Sequence, residues 1–520
     1  MSDESRNAGR GGIFVLAAKV YFIVTGFIQQ PLLNAVIGDA DYGALSRVLA
    51  PSNVLNNVVV SSSTQGVSRS VAPAGEEHRE VLRATLRVHS IVAIVAALLL
   101  ASAAPLVASF QHAGEVTAPL MVMSGVLFVY GLYAPLIGYL NGRRWFGRQA
   151  SLDIVAATLR TAGFIGLGYL FTRSARDLAA SLGTLPGVLG ATVGAVLASL
   201  GVFMIALRWT GTGVPGIVGP RPREYLALLA PIMVSQFFIN GLMQTDIFLL
   251  GRYLSIAAVT DPIGIDEPTK RANELVTAYR ACQLFAFLPY QLLFSVTQVL
   301  FPMLAKAKAE EGDDRVAQLV ARGSRIGAVF AGLLVCVVLA LPESLVKLAY
   351  SAETAHRAAP ALRMLALGQA AFAMLGLATT ILVSLGREKV AMAINAFALA
   401  LLVVTCTVLV PTDKFGVVQL VATATATTIA MVVALVVAIT RVRAIARAFV
   451  PWKTAVRVGA CIACAAFVGR VAPTLSKPLT IVAAAFVGVA YLVALVVTRE
   501  LGKEDLALLL SLAGRRKPAA

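Results

Sequence analysis

Runs of about 20 apolar residues, separated by short polar segments, recur along the whole 520-residue chain. A helix rises ~1.5 Å per residue, so each run is long enough to cross the ~30 Å hydrocarbon layer of a bilayer. The pattern predicts about 14 transmembrane helices. Their cores fall near 13–37, 45–71, 86–110, 116–140, 150–172, 185–207, 225–252, 274–303, 320–341, 358–384, 389–411, 416–440, 452–472 and 478–498. The expected fold class is all-α and polytopic. One predicted span departs from the pattern. Within it, Asn56–Ser70 reads "NNVVVSSSTQGVSRS", which is long enough to span but rich in Asn, Ser, Thr and Gln.

On a helical wheel at ~100° per residue, Asn53, Asn56, Asn57, Ser61, Thr64 and Ser68 share a sector of roughly 140°. Val54, Leu55, Val58 and Val59 fall outside it. Unsatisfied amides in hydrocarbon cost several kcal/mol each, so the polar face must meet water, a ligand or hydrogen-bonding helices. Interhelical bonding is common for Ser and Asn. A stripe this long is more than packing needs and points to a cavity wall.

Composition agrees with the membrane reading. The chain is 58% hydrophobic and 14% charged, with a mean hydropathy of +0.81. That is too little charge to cover a soluble helical protein of this size. The opening "MSDESRNAGRGG" is polar, and the apolar run after it is too long for a signal-peptide core, so it reads as the first span. The five Cys all lie in predicted spans. Cys461 and Cys464 have CxxC spacing, but no second pair or nearby His completes a metal site, and packing is the expected role.

A net charge of +17 raises the question of a nucleic-acid partner, and the charge pattern argues against one. Lys and Arg number roughly 26 in one alternating set of loops and roughly 8 in the other. The basic set faces the cytoplasm, which puts both termini inside and requires an even number of spans. "GLYAPLIGYLNGR" (131–143) and "GLATTILVSLGR" (376–387) end spans four and ten, a weak internal repeat. It implies two six-helix bundles of the same orientation plus a final helix pair, with a substrate path between the halves. The corresponding divisions are 1–215, 216–445, 446–500 and a basic tail, 501–520. Pro31, Pro51, Pro231, Pro289 and Pro302 fall in or at the ends of spans and permit kinks. "GVLGATVG" and "GFIGLG" have the small-residue spacing of close helix contacts.

Ionisable residues deep in a span are functional candidates, because they are costly unless they face a cavity or a partner. Arg208, Arg441 and Arg470 lie near span ends and can snorkel. Lys19, Arg160, Asp246 and Arg280 lie deeper. The three basic residues are read as cavity-lining. Asp246 is either an ion-coupling site or half of a structural ion pair.

Spans seven and eight carry a family likeness. Asp246 is followed by "IFLLGRYLS", Ala278–Arg280 reads "AYR", and "LPYQLLFSVTQVLFPMLA" leads to a proline at the cytoplasmic end. In span two, "QGVSRSVA" places Gly66 and Arg69 in a small-residue-then-Arg ending. These segments resemble the bacterial oligosaccharide (Wzx-type) flippases. That family belongs to the superfamily that also holds the lipid II flippases and the multidrug and toxic compound extrusion (MATE) carriers. The resemblance implies two six-helix lobes around a central, often cationic cavity. It implies alternating access in the bacterial inner membrane, with a polyprenyl-pyrophosphate-linked oligosaccharide as substrate. Arg69, Asp246 and Arg280 carry over as motif positions, whereas Lys19 and Arg160 rest on depth alone. Two features depart from the pattern: about 20 residues rich in Pro and acid separate spans seven and eight, and a count near 14 is closer to the lipid II branch.

Pyrophosphate and sugar suit these residues. Lys and Arg replace part of the hydration a phosphate loses, and Asn, Ser and Thr offer donors and acceptors to sugar hydroxyls. The expected substrate-binding set is Lys19, Asn53, Asn57, Thr64, Arg69, Arg160 and Arg280, with Asp246 for ion coupling. No cofactor is expected beyond coupling to Na+, H+ or the membrane potential. The expected partners are the lipid-linked glycan, membrane lipids and glycan polymerase machinery. The alternatives are a lipid II flippase and a MATE-like exporter of small organic cations. An enzyme of glycan assembly is disfavoured, since His78, His89, His112 and His356 are scattered and the longest outer loop holds no paired His or Arg.

Overall fold

The computed structural model describes residues 3–216, 218–260 and 267–502. The basic tail from 503 onward and the side chain of Lys19 lie outside the described residues. The first half of the chain forms α1 (Asp3–Ile37), α2 (Asp39–Val71), α3 (His78–Phe110), α4 (Thr117–Gly142), α5 (Phe146–Ser174), the short α6 (Arg176–Ser181), α7 (Pro186–Thr210) and α8 (Pro222–Thr260). There follow α9 (Pro268–Ala286), α10 (Leu288–Glu310), α11 (Asp313–Ala340), the short α12 (Pro342–Ala349) and α13 (Ala352–Ser384). The chain continues through α14 (Glu388–Leu409), α15 (Val417–Ala446), α16 (Trp452–Val471) and α17 (Lys477–Val497). There is no strand among the described residues.

Among those residues, 13 helical stretches are long and apolar enough to cross a membrane, with α9 and α10 forming one of them. The polar helix α2 is not among the 13, yet it is continuous over 33 residues. The 13 apolar stretches and α2 fall on the 14 segments that the sequence pattern marked, with α2 too polar to count by apolarity alone. Pro31, Pro51, Pro231 and Pro302 lie inside helices. Pro289 instead starts α10, just after Phe287 interrupts the eighth span, where a missing N–H costs nothing. The expected 20-residue connection between spans seven and eight is shorter than it read. Helix α8 runs on to Thr260 and α9 begins at Pro268, because the helices continue past their apolar cores.

Contacts divide the chain into two compact units, Met1–Arg280 with Cys406–Gln419, and Ala281–Thr405 with Leu420–Ala520. The division does not follow a lobe boundary near 215, because α8 packs along α2 and joins the first unit.

In the first unit α5 and α7 pack closely because both carry glycine at the contact. A Cβ on Gly194 would lie 2.0 Å from the carbonyl oxygen of Gly163, and one on Gly163 would lie 2.4 Å from that of Gly194. This is the close packing the small-residue runs predicted. Helices α2 and α4 meet closely at the Val71 end of α2, where a Cβ on Gly138 would lie 2.8 Å from the Thr64 carbonyl. Next to this contact Ser63 Oγ bonds His89 Nδ1 at 3.0 Å, and His89 Nε2 bonds the Tyr225 hydroxyl at 2.8 Å. This buried chain ties α2, α3 and α8 together.

In the second unit α10, α11 and α13 pack on one another, and α16 and α17 dock on α11. The Tyr491 hydroxyl donates to the Val329 carbonyl at 2.8 Å, and Arg363 donates to the Gly469 carbonyl at 2.8 Å. At the far end of α17, Glu500 is held by Arg325, Arg457 and Thr454.

Candidate functional site

The polar face of α2 does not meet one environment along its length. At the Val71 end, Gly138 and Gly142 bring α4 against it. Toward the Asp39 end α4 carries Met123, Val126 and Tyr130 instead, and the helices leave a cavity of about 150 Å³ inside the first unit. Its walls come from α1, α2, α4, α5, α7 and Arg280 on α9, all within the first unit. Asn53 and Asn56 face it from α2, Gln29 and Gln30 from α1, and Arg160 from α5. No carboxylate among the described residues lines it.

The cavity's polar groups are partly held and partly open. The Arg160 guanidinium lies 4.8 Å from the centre of the Phe22 ring, a cation–π contact that fixes its direction. Its Nε has no hydrogen-bond partner among the described residues, and neither does the buried Oδ1 of Asn56. Thr161 donates to Gln29 Oε1 at 2.9 Å, linking α5 to α1 one residue from Arg160. The Tyr42 hydroxyl donates to Gln30 Oε1 at 3.2 Å. Two cations, several amides and unmatched donors and acceptors can together take an anion that carries hydroxyl groups.

Of the residues singled out from sequence, Asn53, Arg160 and Arg280 converge here. Asn57 does not; its amide donates to Asn240 Oδ1 on α8 at 2.8 Å. Thr64 lies at the α4 contact, its hydroxyl 3.4 Å from the Ala134 carbonyl. Arg69 is exposed in the last turn of α2, where a cation suits the negative end of the helix dipole. Lys19 falls on α1, with its side chain outside the described residues.

Asp246 is 1% exposed and lies off the cavity. It accepts a hydrogen bond from the Tyr279 hydroxyl at 2.8 Å and one from the Ile247 N–H at 2.8 Å.

Sequence reasoning passed over Gln29, Gln30 and Tyr130. The adjacent amides of "IQQP" in the first span were the available signal. It also passed over Arg47, two residues into its predicted span. Arg47 is fully buried and donates to Ser255 Oγ at 2.8 Å.

Thirteen helical stretches long and apolar enough to cross a membrane among the described residues, with a cation-lined polar cavity inside the bundle, define the architecture of a polytopic membrane protein. Residues 8–308 match the polysaccharide biosynthesis protein family and residues 272–409 match the MatE family. The first match covers more than half of the chain, and the chain belongs to the polysaccharide biosynthesis protein family. No curated protein matches it. The fold is similar to that of the lipid II flippase MurJ in an inward closed conformation, at TM-score 0.72 and 14% identity, covering 94% of this chain and 99% of that one. It is also similar to an inward-facing multidrug resistance MATE family transporter of the MOP superfamily, at TM-score 0.61 and 14% identity over 83% and 98% of the two chains. A MOP superfamily transporter from Pyrococcus furiosus, described as having a binding pocket of reverse polarity, matches at TM-score 0.55 and 14% identity, over 83% and 96%. The chain thus has the fold of the MOP-superfamily carriers.

Proposed function

We propose that the protein flips a polyprenyl-pyrophosphate-linked oligosaccharide across the bacterial inner membrane, by alternating access, for surface polysaccharide synthesis. The observation that carries this reading is the meeting of Arg160 and Arg280 with the amides of Asn53 and Asn56 in one cavity without a carboxylate. At ~4 Å and an effective dielectric constant of ~20, each cation–phosphate contact contributes about 4 kcal/mol of Coulomb energy. Two such contacts offset part of the hydration a pyrophosphate gives up. The amides serve the phosphate oxygens and the first sugar. The polyprenyl tail stays in lipid.

The charge bias of the loops supports cytoplasmic termini, with loading from the cytoplasmic side. Asp246, buried beside Tyr279, is the candidate for ion coupling. A glycan polymerase is the expected consumer of the flipped product.

Family membership supports the oligosaccharide substrate. The likeness to the lipid II flippase over 94% of the chain favours lipid II as a second reading. Both substrates carry a polyprenyl pyrophosphate, so the cavity chemistry serves either. Export of small organic cations fits poorly, since the cavity offers cations and no carboxylate.

The test is substitution in cells. Arg160→Ala or Arg280→Ala, at normal protein level, should abolish surface glycan and leave lipid-linked oligosaccharide on the inner leaflet. Accumulated lipid II with intact surface glycan would select the second reading. Normal surface glycan and no accumulated intermediate in either variant would overturn the proposal.

A further inference from the structure

The second unit carries a groove of about 650 Å³ between the start of α14 and the end of α15. Arg387, Lys389 and Arg441 line it, and no carboxylate among the described residues does; Glu388, between the first two, is not part of the wall. None of the three cations makes an ion pair among the described residues. Below them the walls are apolar, with Val390, Ile394, Phe397 and Val437.

The apolar surface continues away from the cations along both helices. Phe397 and Val404 share one face of α14 at helical spacing and are exposed, as are Val436, Val433 and Ile429 on α15. From Phe397 to Val404 this face runs about 10 Å at ~1.5 Å per residue. A cluster of cations at one end of an apolar track is the shape of an amphiphile with an anionic head and hydrocarbon tails. In a membrane-spanning helix pair the exposed apolar face already lies in acyl chains, and the cations lie at the end where the loops are basic.

We infer that the α14–α15 groove is a binding site for an anionic phospholipid, with its phosphate held by Arg387, Lys389 and Arg441 and its acyl chains lying along the apolar faces of the two helices. The site lies wholly within the second unit and shares no residue with the cavity of Arg160 and Arg280. It therefore stands whichever lipid-linked glycan the protein carries.

The experiment uses the full chain in nanodiscs that contain phosphatidylglycerol and phosphatidylcholine in equal amounts. After release into mild detergent, native mass spectrometry counts the phospholipids retained on each protein. The native chain should retain phosphatidylglycerol over phosphatidylcholine. One basic residue near an anionic lipid surface changes partitioning by roughly fivefold, so the R387Q/K389Q/R441Q variant should lose the preference by at least about tenfold. A393W, which fills the groove and keeps the cations, should lose retained lipid to a similar degree and guards against a folding defect in the triple variant. Equal retention of the two lipids by the native chain would overturn the inference. Unchanged phosphatidylglycerol retention in both variants would overturn it too. So would displacement of phosphatidylglycerol from the groove by an equimolar polyprenyl pyrophosphate, which would assign the groove to that lipid instead.

Discussion

Glu500→Gln should loosen the last helix pair from the second unit. Only 3% of the Glu500 side chain is exposed, while Arg325 and Arg457 are 27% and 29% exposed. Thr454 and Arg325 Nε bond Oε1 at 2.6 and 2.9 Å, and Arg457 bonds Oε2 at 2.6 Å. A glutamine keeps one acceptor and turns the other into an amide N–H₂ against Arg457. Hydrogen bonds to charged groups are worth about 1.5–3 kcal/mol each, and water can rehydrate the partly exposed arginines, so the net loss should be about 2–3 kcal/mol. A loss of that size raises the open population of α16 and α17 roughly 30- to 150-fold, at ~1.4 kcal/mol per factor of ten. Cys336 reports it, being 2% exposed on α11, the helix on which α16 and α17 dock. Its maleimide labelling, read by site-resolved mass spectrometry at neutral pH, should accelerate by that factor while Cys282 stays protected. An acceleration of less than about threefold would refute the clasp.

The same carboxylate has a pH signature. Burial pushes Glu500 up, but hydrogen bonds from Thr454, Arg325 and Arg457 and the charge of Arg325 outweigh it, and the group ends below the ordinary glutamate range. A depressed native pKa stabilises the fold above the unfolded value near ~4.3, and that contribution disappears as pH falls through the native value. The melting temperature of the native protein should therefore show a downward step as pH falls below about 4.3, and the Gln variant should lack that step. Gly194→Ala puts a methyl 2.0 Å from the Gly163 oxygen, so α5 and α7 must separate. The cost is at least about 1–3 kcal/mol, read as a lower melting temperature in detergent, and an unchanged melt would contradict the contact. Tyr279→Phe removes the 2.8 Å hydrogen bond to Asp246. With Asp246→Asn it should shift the Na+ or pH dependence of transport if the carboxylate couples to an ion. A lower melting temperature with unchanged ion dependence would make the pair structural. Reporter fusions at both termini should report the cytoplasm, and an external signal from either would overturn the orientation.

Hydropathy marked the 13 apolar stretches, and α2 was legible from its length between loops and its one-sided polar stripe. The glycine runs marked the α5–α7 contact for a similar local reason. The fate of the α2 stripe was not legible. Asn53 and Thr64 lie on the same side of the helical wheel, but one faces a cavity and the other a helix. The difference is set by the partner: α4 presents Gly138 near Thr64 and Tyr130 near the cavity. Depth in the membrane singled out Arg160 and Arg280 but carried no information on their meeting, which depends on the packing of α5 and α9 around α1 and α2. The amides of Asn57 and the hydroxyl of Ser63 turned out to bond other helices, as polar side chains in membrane bundles commonly do. Their residue types do not distinguish that role from ligand contact.

The most direct measurement is flipping by the purified protein in proteoliposomes, with a fluorescent polyprenyl-pyrophosphate disaccharide on one leaflet and quencher outside. The native chain should move the lipid. Arg160→Gln and Arg280→Gln should each slow the movement at least about tenfold, while a polyprenyl-linked disaccharide lacking the pyrophosphate should move equally slowly with all three proteins. Flipping by both variants at the native rate would contradict an anion-binding role for the cavity and, with it, the central claim.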